Sequence, residues 1–155
     1  MFREMRRKDR AMVEEETKML LETAQVGILS TVSTDNTPYG VPMNFVYTNE
    51  VIYLHCALEG QRLDNIVNND SICFTVVDAV ELMPAAFATK YKSAVIFGKI
   101  IVVEDIEEKR KGLIDIVKKY SPDFYEAGLQ YIDKAFEKIK VLKIEVSKMT
   151  GKARL

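Results

Sequence analysis

Residues 26–57 read VGILSTVSTDNTPYGVPMNFVYTNEVIYLHCA, three apolar runs separated by two short polar links. Asp35-Asn36 and Thr48-Asn49-Glu50 are turn signals, and links this short return the chain alongside itself. The runs therefore predict strands joined as hairpins in an antiparallel meander. Alternation assigns their faces. In GVPMNFVY, Val41, Met43, Phe45 and Tyr47 share one face, with Pro42 and Asn44 on the other. Pro42 lacks a ladder donor and marks an edge, a bulge or an opening in the sheet. In VIYLHCA, Tyr53, His55 and Ala57 share one face, and Ile52, Leu54 and Cys56 the opposite one.

The remaining segments fit around this meander. Val13 to Gln25 has acids in front and Met19, Leu20 and Ala24 behind, an amphipathic helix whose acidic first turn suits the helix dipole. EGQRLDNIVNN supplies Leu63, Ile66 and Val67 at helical spacing, and Asn68-Asn69-Asp70 ends that helix. SICFTVVDAV is a fourth strand, followed by a loop through Pro84. YKSAVIFGKIIVVED is long enough for a bent fifth strand, with Gly98 at the bend. Asp105 caps a helix over DIEEKRKGLIDIVKKY, with Glu108 three residues on as a capping box. More helix follows Ser121-Pro122. KVLKIEVS closes as a sixth strand, with Leu142, Ile144 and Val146 inward. The expected fold is mainly β: a six-stranded antiparallel barrel with peripheral helices, whose closure hides strand edges. No repeat or linker divides the 155 residues. One domain over 1–155 is expected, with 1–12 as a basic N-terminal arm.

A formal net charge of −1 gives no global pull toward nucleic acid or membrane. MFREMRRKDR is basic, but no apolar region follows it, so it is not read as a secretory signal. No apolar stretch approaches the roughly 18 residues a membrane span requires. Cys56 and Cys73 lie in apolar runs and read as buried reduced thiols, which fits the cytoplasm.

Chemistry concentrates in LHCALEGQRLDNIVNN, which holds the one histidine of the chain, His55, beside Cys56, Gly60 and Arg62. One histidine and two cysteines do not supply the three or four ligands of the usual metal site, so no metal is expected. A Cys–His nucleophile pair fails because adjacent strand residues point apart. A phosphate cradle has better physics. A strand ends at Ala57, Gly60 turns the chain, and a helix opens with free N–H groups and a favourable dipole. Arg62 in the first turn opposes that dipole unless an anion sits there too. Against this stands an ordinary solvated helix end in which Arg62 pairs with Glu59 or Asp64. Both readings remain open on these residues alone.

The order of the segments resembles the FMN-binding split-barrel proteins of the pyridoxamine-phosphate-oxidase-like superfamily, and within it the nitroimidazole-resistance (Nim) group. The segments that carry the resemblance are MRRKDRAM, GILSTVSTDNTPYGVPMNFVY, IYLHCALEGQRLDNI, CFTV, TKYKSAVIFGKIIVVEDIEEKRKGL, KKYSP and TGKARL. The resemblance implies a homodimer with FMN, or the related flavin FAD, in clefts at the subunit interface. It assigns phosphate contacts to His55, Cys56, Ala57, Gly60, Gln61 and Arg62, and contacts to the flavin ring to Val41, Pro42, Met43 and Asn44. Tyr91 and Ser93 in KYKSAV would reach the site from the other subunit. His55 matches the histidine beside the reacting ring and is the candidate catalytic residue, as proton donor, substrate partner or anchor. Tyr39 and Tyr53 are expected to pack rather than to take part in redox chemistry.

The implied activity is a flavin-dependent oxidoreductase acting on small electron-poor molecules such as nitroimidazoles. A flavin-binding module without turnover, and a haem-binding relative with His55 as axial ligand, are the rivals. Two departures stand out. The turn reads Gly60-Gln61-Arg62 where relatives often carry Gly-Lys-Lys, one cation fewer. The C-terminal Arg-x-His-Arg pattern of true pyridoxamine phosphate oxidases is absent, which argues against that substrate.

Overall fold

The computed structural model describes residues 2–155. Its strands are β1 (Ala11–Met12), β2 (Gly27–Val32), β3 (Pro38–Met43), β4 (Val46–Thr48), β5 (Val51–Cys56), β6 (Ser71–Met83), β7 (Ala88–Val102) and β8 (Lys140–Arg154). Its helices are α1 (Glu14–Thr23), α2 (Gln61–Asn68), α3 (Ile106–Tyr120) and α4 (Tyr125–Ala135). The strands form one antiparallel sheet in the order β3-β2-β6-β7-β8-β5-β4, with β1 beside β8. The mainly antiparallel β class follows the expectation, with eight strands in place of six. Two causes account for the difference. The run expected as one strand breaks at Asn44-Phe45 into β3 and β4. Ala11 and Met12, expected in the basic arm, pair with Lys152 and Gly151 of a final strand longer than KVLKIEVS.

Side chains, not ladder bonds, close the break between β3 and β4. The Phe45 N–H donates to the Tyr120 hydroxyl at 2.9 Å, and that hydroxyl faces the carbonyls of Gln25 and Phe45 at 2.7 and 2.8 Å. Lys119 donates to the Phe45 carbonyl at 3.0 Å. Burial pushes the Lys119 ammonium down to about 8, while the carbonyl and the Phe45 ring 3.9 Å away favour its charged form.

Alternation along the strands sorts residues into two cores. Inside the sheet lie Leu29, Phe45, Ile52, Leu54, Phe74, Ile96 and Ile144, with Phe45 and Phe74 edge to face at 5.0 Å. Helix α1 adds Leu20 and Leu21, the residue after it adds Ala24, and α2 adds Leu63 and Ile66. Two expected core contributors face solvent instead: Met19 is 62% exposed and Val67 86%. The other expected positions, Leu20, Ala24, Leu63 and Ile66, are buried, and Leu21 joins them. Outside the sheet, Val46, Tyr53 and Val141 are covered by Leu113 and Ile116 of α3 and Ile132 of α4.

Asp105 caps α3 as expected, accepting the Glu108 N–H at 2.8 Å. The Glu108 carboxylate does not complete the reciprocal box. It accepts from Tyr53 at 2.9 Å and from Lys143 at 2.8 Å, tying the helix to the sheet.

The bend expected at Gly98 is present. Phe97 pairs with Lys148 but Gly98 pairs with Val146, so Ser147 is an extra residue on β8. Beyond the bend, β6 and β7 run on as a hairpin whose Val77, Val80, Leu82 and Phe87 face solvent, Phe87 at 97%. A Cβ at Gly98 would lie 2.2 Å from the Glu145 carbonyl oxygen, a backbone atom with little room to retreat. Gly98→Ala should therefore lower unfolding free energy by about 1–3 kcal/mol, read as a lower urea midpoint, as overpacking against fixed backbone does.

Candidate functional site at the start of α2

Strand β5 delivers the chain through Cys56 to an exposed turn that Gly60 makes possible. Gly60 has φ of +142°, a conformation L side chains rarely adopt, and the space where its Cβ would stand is open. The Gly60 carbonyl accepts from Leu63 and Asp64 at 3.0 and 3.2 Å. No side chain caps the helix, so the N–H groups of Gln61 and Arg62 keep no intrahelical partner.

Arg62 is the cation at this opening. Its side chain is half-buried, and Nη1 donates to the Met43 sulfur at 3.3 Å, a weak acceptor. Among the described residues no carboxylate, Glu59 and Asp64 included, lies within 4.0 Å of Arg62. The ion pair with Glu59 or Asp64 that the ordinary helix end would offer is not formed. A fixed cation, two unpartnered N–H groups and an open glycine face together can hold an oxyanion.

His55 stands on the outer face of β5, with solvent on one side of the ring. The protein around the rest of the ring, and then the Arg62 charge, depress its pKa below the usual 6.5. Cys56 points the other way into the core, where burial pushes its thiol up. Its contacts at the turn are therefore main-chain ones. Opposed faces rule out a direct Cys–His pair, as the alternation predicts. Among the described residues, no group of three or more His, Cys, Asp or Glu is placed to hold a metal ion.

The remaining candidates divide by position. Met43 is buried and Val41 half-buried, while Pro42, Asn44 and Ala57 are exposed. Asn44 donates to the Gln25 carbonyl at 3.0 Å. Gln61 donates to Asn65 at 2.8 Å and Asn65 to Thr31 at 2.9 Å, a buried relay that pins α2 to β2. Gln61 also lines an open recess of about 500 Å³ with Ser33, Thr34, Asp35, Thr37, Pro38 and Tyr39. Tyr53 packs as expected. Tyr39 does not: it is 36% exposed at that recess. Tyr91 and Ser93 lie on β7 opposite Arg154 and Lys152, the far end of β8 from Val141, which pairs with His55, so within one chain they do not join the others.

Two supports of the site carry no sequence signal of function, the Asn65–Thr31 pair and the Lys119–Tyr120 pair beneath Asn44-Phe45. An asparagine on the buried face of α2, in step with Ile66, was the one available hint of the first.

The family model described as Pyridoxamine 5'-phosphate oxidase matches residues 13–153. A crystal structure described as a "putative 5-nitroimidazole antibiotic resistance protein" from Bacteroides thetaiotaomicron VPI-5482 is 30% identical, with a TM-score of 0.80 over 92% of this chain and 86% of that one. A flavocytochrome from Azotobacter vinelandii is 19% identical, with a TM-score of 0.83 over 98% of this chain and 72% of that one. An FAD binding protein from Mycobacterium smegmatis is 17% identical, with a TM-score of 0.65 over 94% and 99%. At those two lower identities the likeness is one of fold. No curated protein matches the sequence. Among the described residues no helix is long and apolar enough to cross a membrane.

One histidine gives one titration. The His55 ring-proton resonance should move with a midpoint below 6.5, and Arg62→Ala should raise that midpoint toward 6.5 by removing a like charge. The folded state resists protonation of His55, so its contribution to stability is complete above pH 6.5 and lost as pH falls below that value. His55→Gln should flatten the loss, measured as urea midpoints across that interval.

Proposed function

The chain belongs to the pyridoxamine 5'-phosphate oxidase family, and from that premise we propose that it binds a flavin nucleotide at the start of α2 and acts as a flavin-dependent oxidoreductase. The observation that carries the reading is Arg62, a half-buried cation without a carboxylate at an uncapped helix end. We assign FMN over FAD because one cation and one helix end match a single phosphoryl group. The substrates are small electron-poor molecules, nitroimidazoles among them, in keeping with the Bacteroides relative.

A bound flavin supplies two-electron or one-electron transfer at its ring, and the protein supplies position and electrostatics. Arg62 and the N–H groups of Gln61 and Arg62 hold the phosphate. The exposed edge of β3, from Val41 and Pro42 to Met43 and Asn44, flanks the ring through main-chain groups, with Asn44 steadied by the Gln25 carbonyl. Cys56 and Ala57 contribute main chain at the turn. With its pKa depressed, His55 is neutral at pH 7 and offers one N–H and one lone pair beside the ring.

We further propose a homodimer. Val77, Val80, Leu82 and Phe87 project exposed from the β6–β7 hairpin, an apolar surface suited to a second copy. A second copy would also bring Tyr91 and Ser93 to the cradle, which they do not reach within their own chain. Two free thiols, Cys56 and Cys73, support a reducing cytoplasmic setting.

Purified protein should be yellow, and a Soret band in place of flavin bands would assign haem instead. Arg62→Ala should weaken FMN binding by about 1.5–3 kcal/mol, roughly 10- to 150-fold in Kd, as loss of a charge-assisted bond does. Unchanged affinity would sink the cradle. His55→Ala should reduce turnover more than binding. Anaerobic bleaching by NAD(P)H, with colour restored by a nitroimidazole, tests the enzyme; binding without bleaching would leave a flavin-holding module.

A further inference from the structure

Strand β8 lacks a neighbour on one side over part of its length. It pairs with β7 along most of its run, but on its other edge β5 reaches only to Glu145 and β1 covers only Gly151 and Lys152. Residues Val146 to Thr150 therefore present a bare strand edge between two paired stretches. Alternate residues of such an edge turn N–H and C=O outward, where main-chain groups need partners. Among the described residues no turn or loop bond supplies one. The edge opens on a cavity of about 460 Å³, lined also by Met5, Met12, Glu14, Lys18, Tyr47 and Glu50.

The walls set the chemistry. Met5, Met12 and Met149 offer thioethers, which adapt to aromatic rings and make favourable contacts with them. Met12, Val146 and Met149 rest on the inner core, so this wall is anchored. Tyr47 is only 9% exposed, yet its hydroxyl has no partner among the described residues and is not sealed from solvent. It opens on the cavity as a free donor. At the mouth one ammonium serves two carboxylates, Lys18 lying 2.8 Å from Glu14 and 3.2 Å from Glu50. The other cation at the cavity, Lys148, is taken up by the Phe2 ring, 5.6 Å from its centroid.

We propose that this cavity binds a small aromatic molecule that carries an amide-type edge and no negative charge. The ring lies among the thioethers and Tyr47, and the N–H and C=O of the amide edge pair with the main chain of β8. The surplus carboxylate at the mouth repels anions. The volume falls in the range of small-molecule sites. A polypeptide strand cannot run through, because β1 and the β4–β5 turn close the two ends of the edge. His55 pairs with Val141, five residues before Val146, so the site is separate from the α2 cradle and stands whether or not a flavin is held there.

The methionines are the reporters, through carbon-13-labelled methyl groups followed by NMR on the full chain. Benzamide should shift Met5, Met12 and Met149, with a Kd of about 1–10 mM as fits so small a fragment, and leave Met43 at the α2 cradle unmoved. At saturation it should also slow amide exchange between Val146 and Thr150 by about twofold or more. Benzoate has the same shape but is anionic and lacks the N–H donor, so it should bind about fivefold more weakly or worse. Cyclohexanecarboxamide, without the aromatic ring, should lose about threefold. Tyr47→Phe keeps the packing and should weaken benzamide by about threefold or more. Prior loading with FMN should change none of these values. Unmoved methyl groups at Met5, Met12 and Met149, equal binding of benzamide and benzoate, or displacement of benzamide by FMN overturns the site.

Discussion

The two longest strands, β7 and β8, can serve the same barrel only by bending together, and Gly98 against the Glu145 carbonyl is where they do so. Before the bend the pair walls the apolar interior through Ile100, Leu142 and Ile144. After it, β7 runs out with β6 as a hairpin and β8 turns its far half toward β1. Without the extra residue at Ser147 the side chains beyond would change faces, since strand orientation has period two. Met149 of β8 would leave the core side, and Lys148 and Lys152 would turn away from the outer surface. The far half of β8 therefore keeps its faces through one extra residue and one missing Cβ.

Much of this was legible in advance because period-two patterning and turn chemistry are local. Residues Asn49 and Glu50 both take positive φ, at 48° and 64°, as a tight hairpin link between β4 and β5 requires. The opposed faces of His55 and Cys56 followed from the same rule. Errors arose where a local pattern was overruled at long range. The helical stripes of α1 and α2 were right at Leu20, Ala24, Leu63 and Ile66 but too wide at Met19 and Val67, and Leu21 was missed. The break at Asn44-Phe45 was hidden because its hydrogen-bond partner sits 75 residues away. The β1 strand was hidden because two residues carry no periodicity at all.

At the candidate site the decisive quantity is charge compensation. Lys18, Lys99, Arg110, Lys111 and Lys143 pair with carboxylates, but most of the 22 lysines and arginines do not and are left to solvent. Arg62 is distinguished from those by being half-buried at an uncapped helix start, where main-chain N–H groups add further donors. Sequence spacing could suggest Glu59 or Asp64 as partners for Arg62. Only the fold could say that neither comes within 4.0 Å of it.

The Tyr120 hydroxyl gives the helical layer a direct grip on the strand beneath the proposed ring position. Helix α3 reaches the β3–β4 gap through Lys119 on the Phe45 carbonyl and through the Tyr120 oxygen, which takes the Phe45 N–H and faces two carbonyls. That oxygen is a mechanical coupling removable without touching the packing around it, since phenylalanine keeps the ring. Hydrogen exchange at Phe45 then measures how firmly the outer helices hold the open edge of the barrel, separately from how firmly they hold the core.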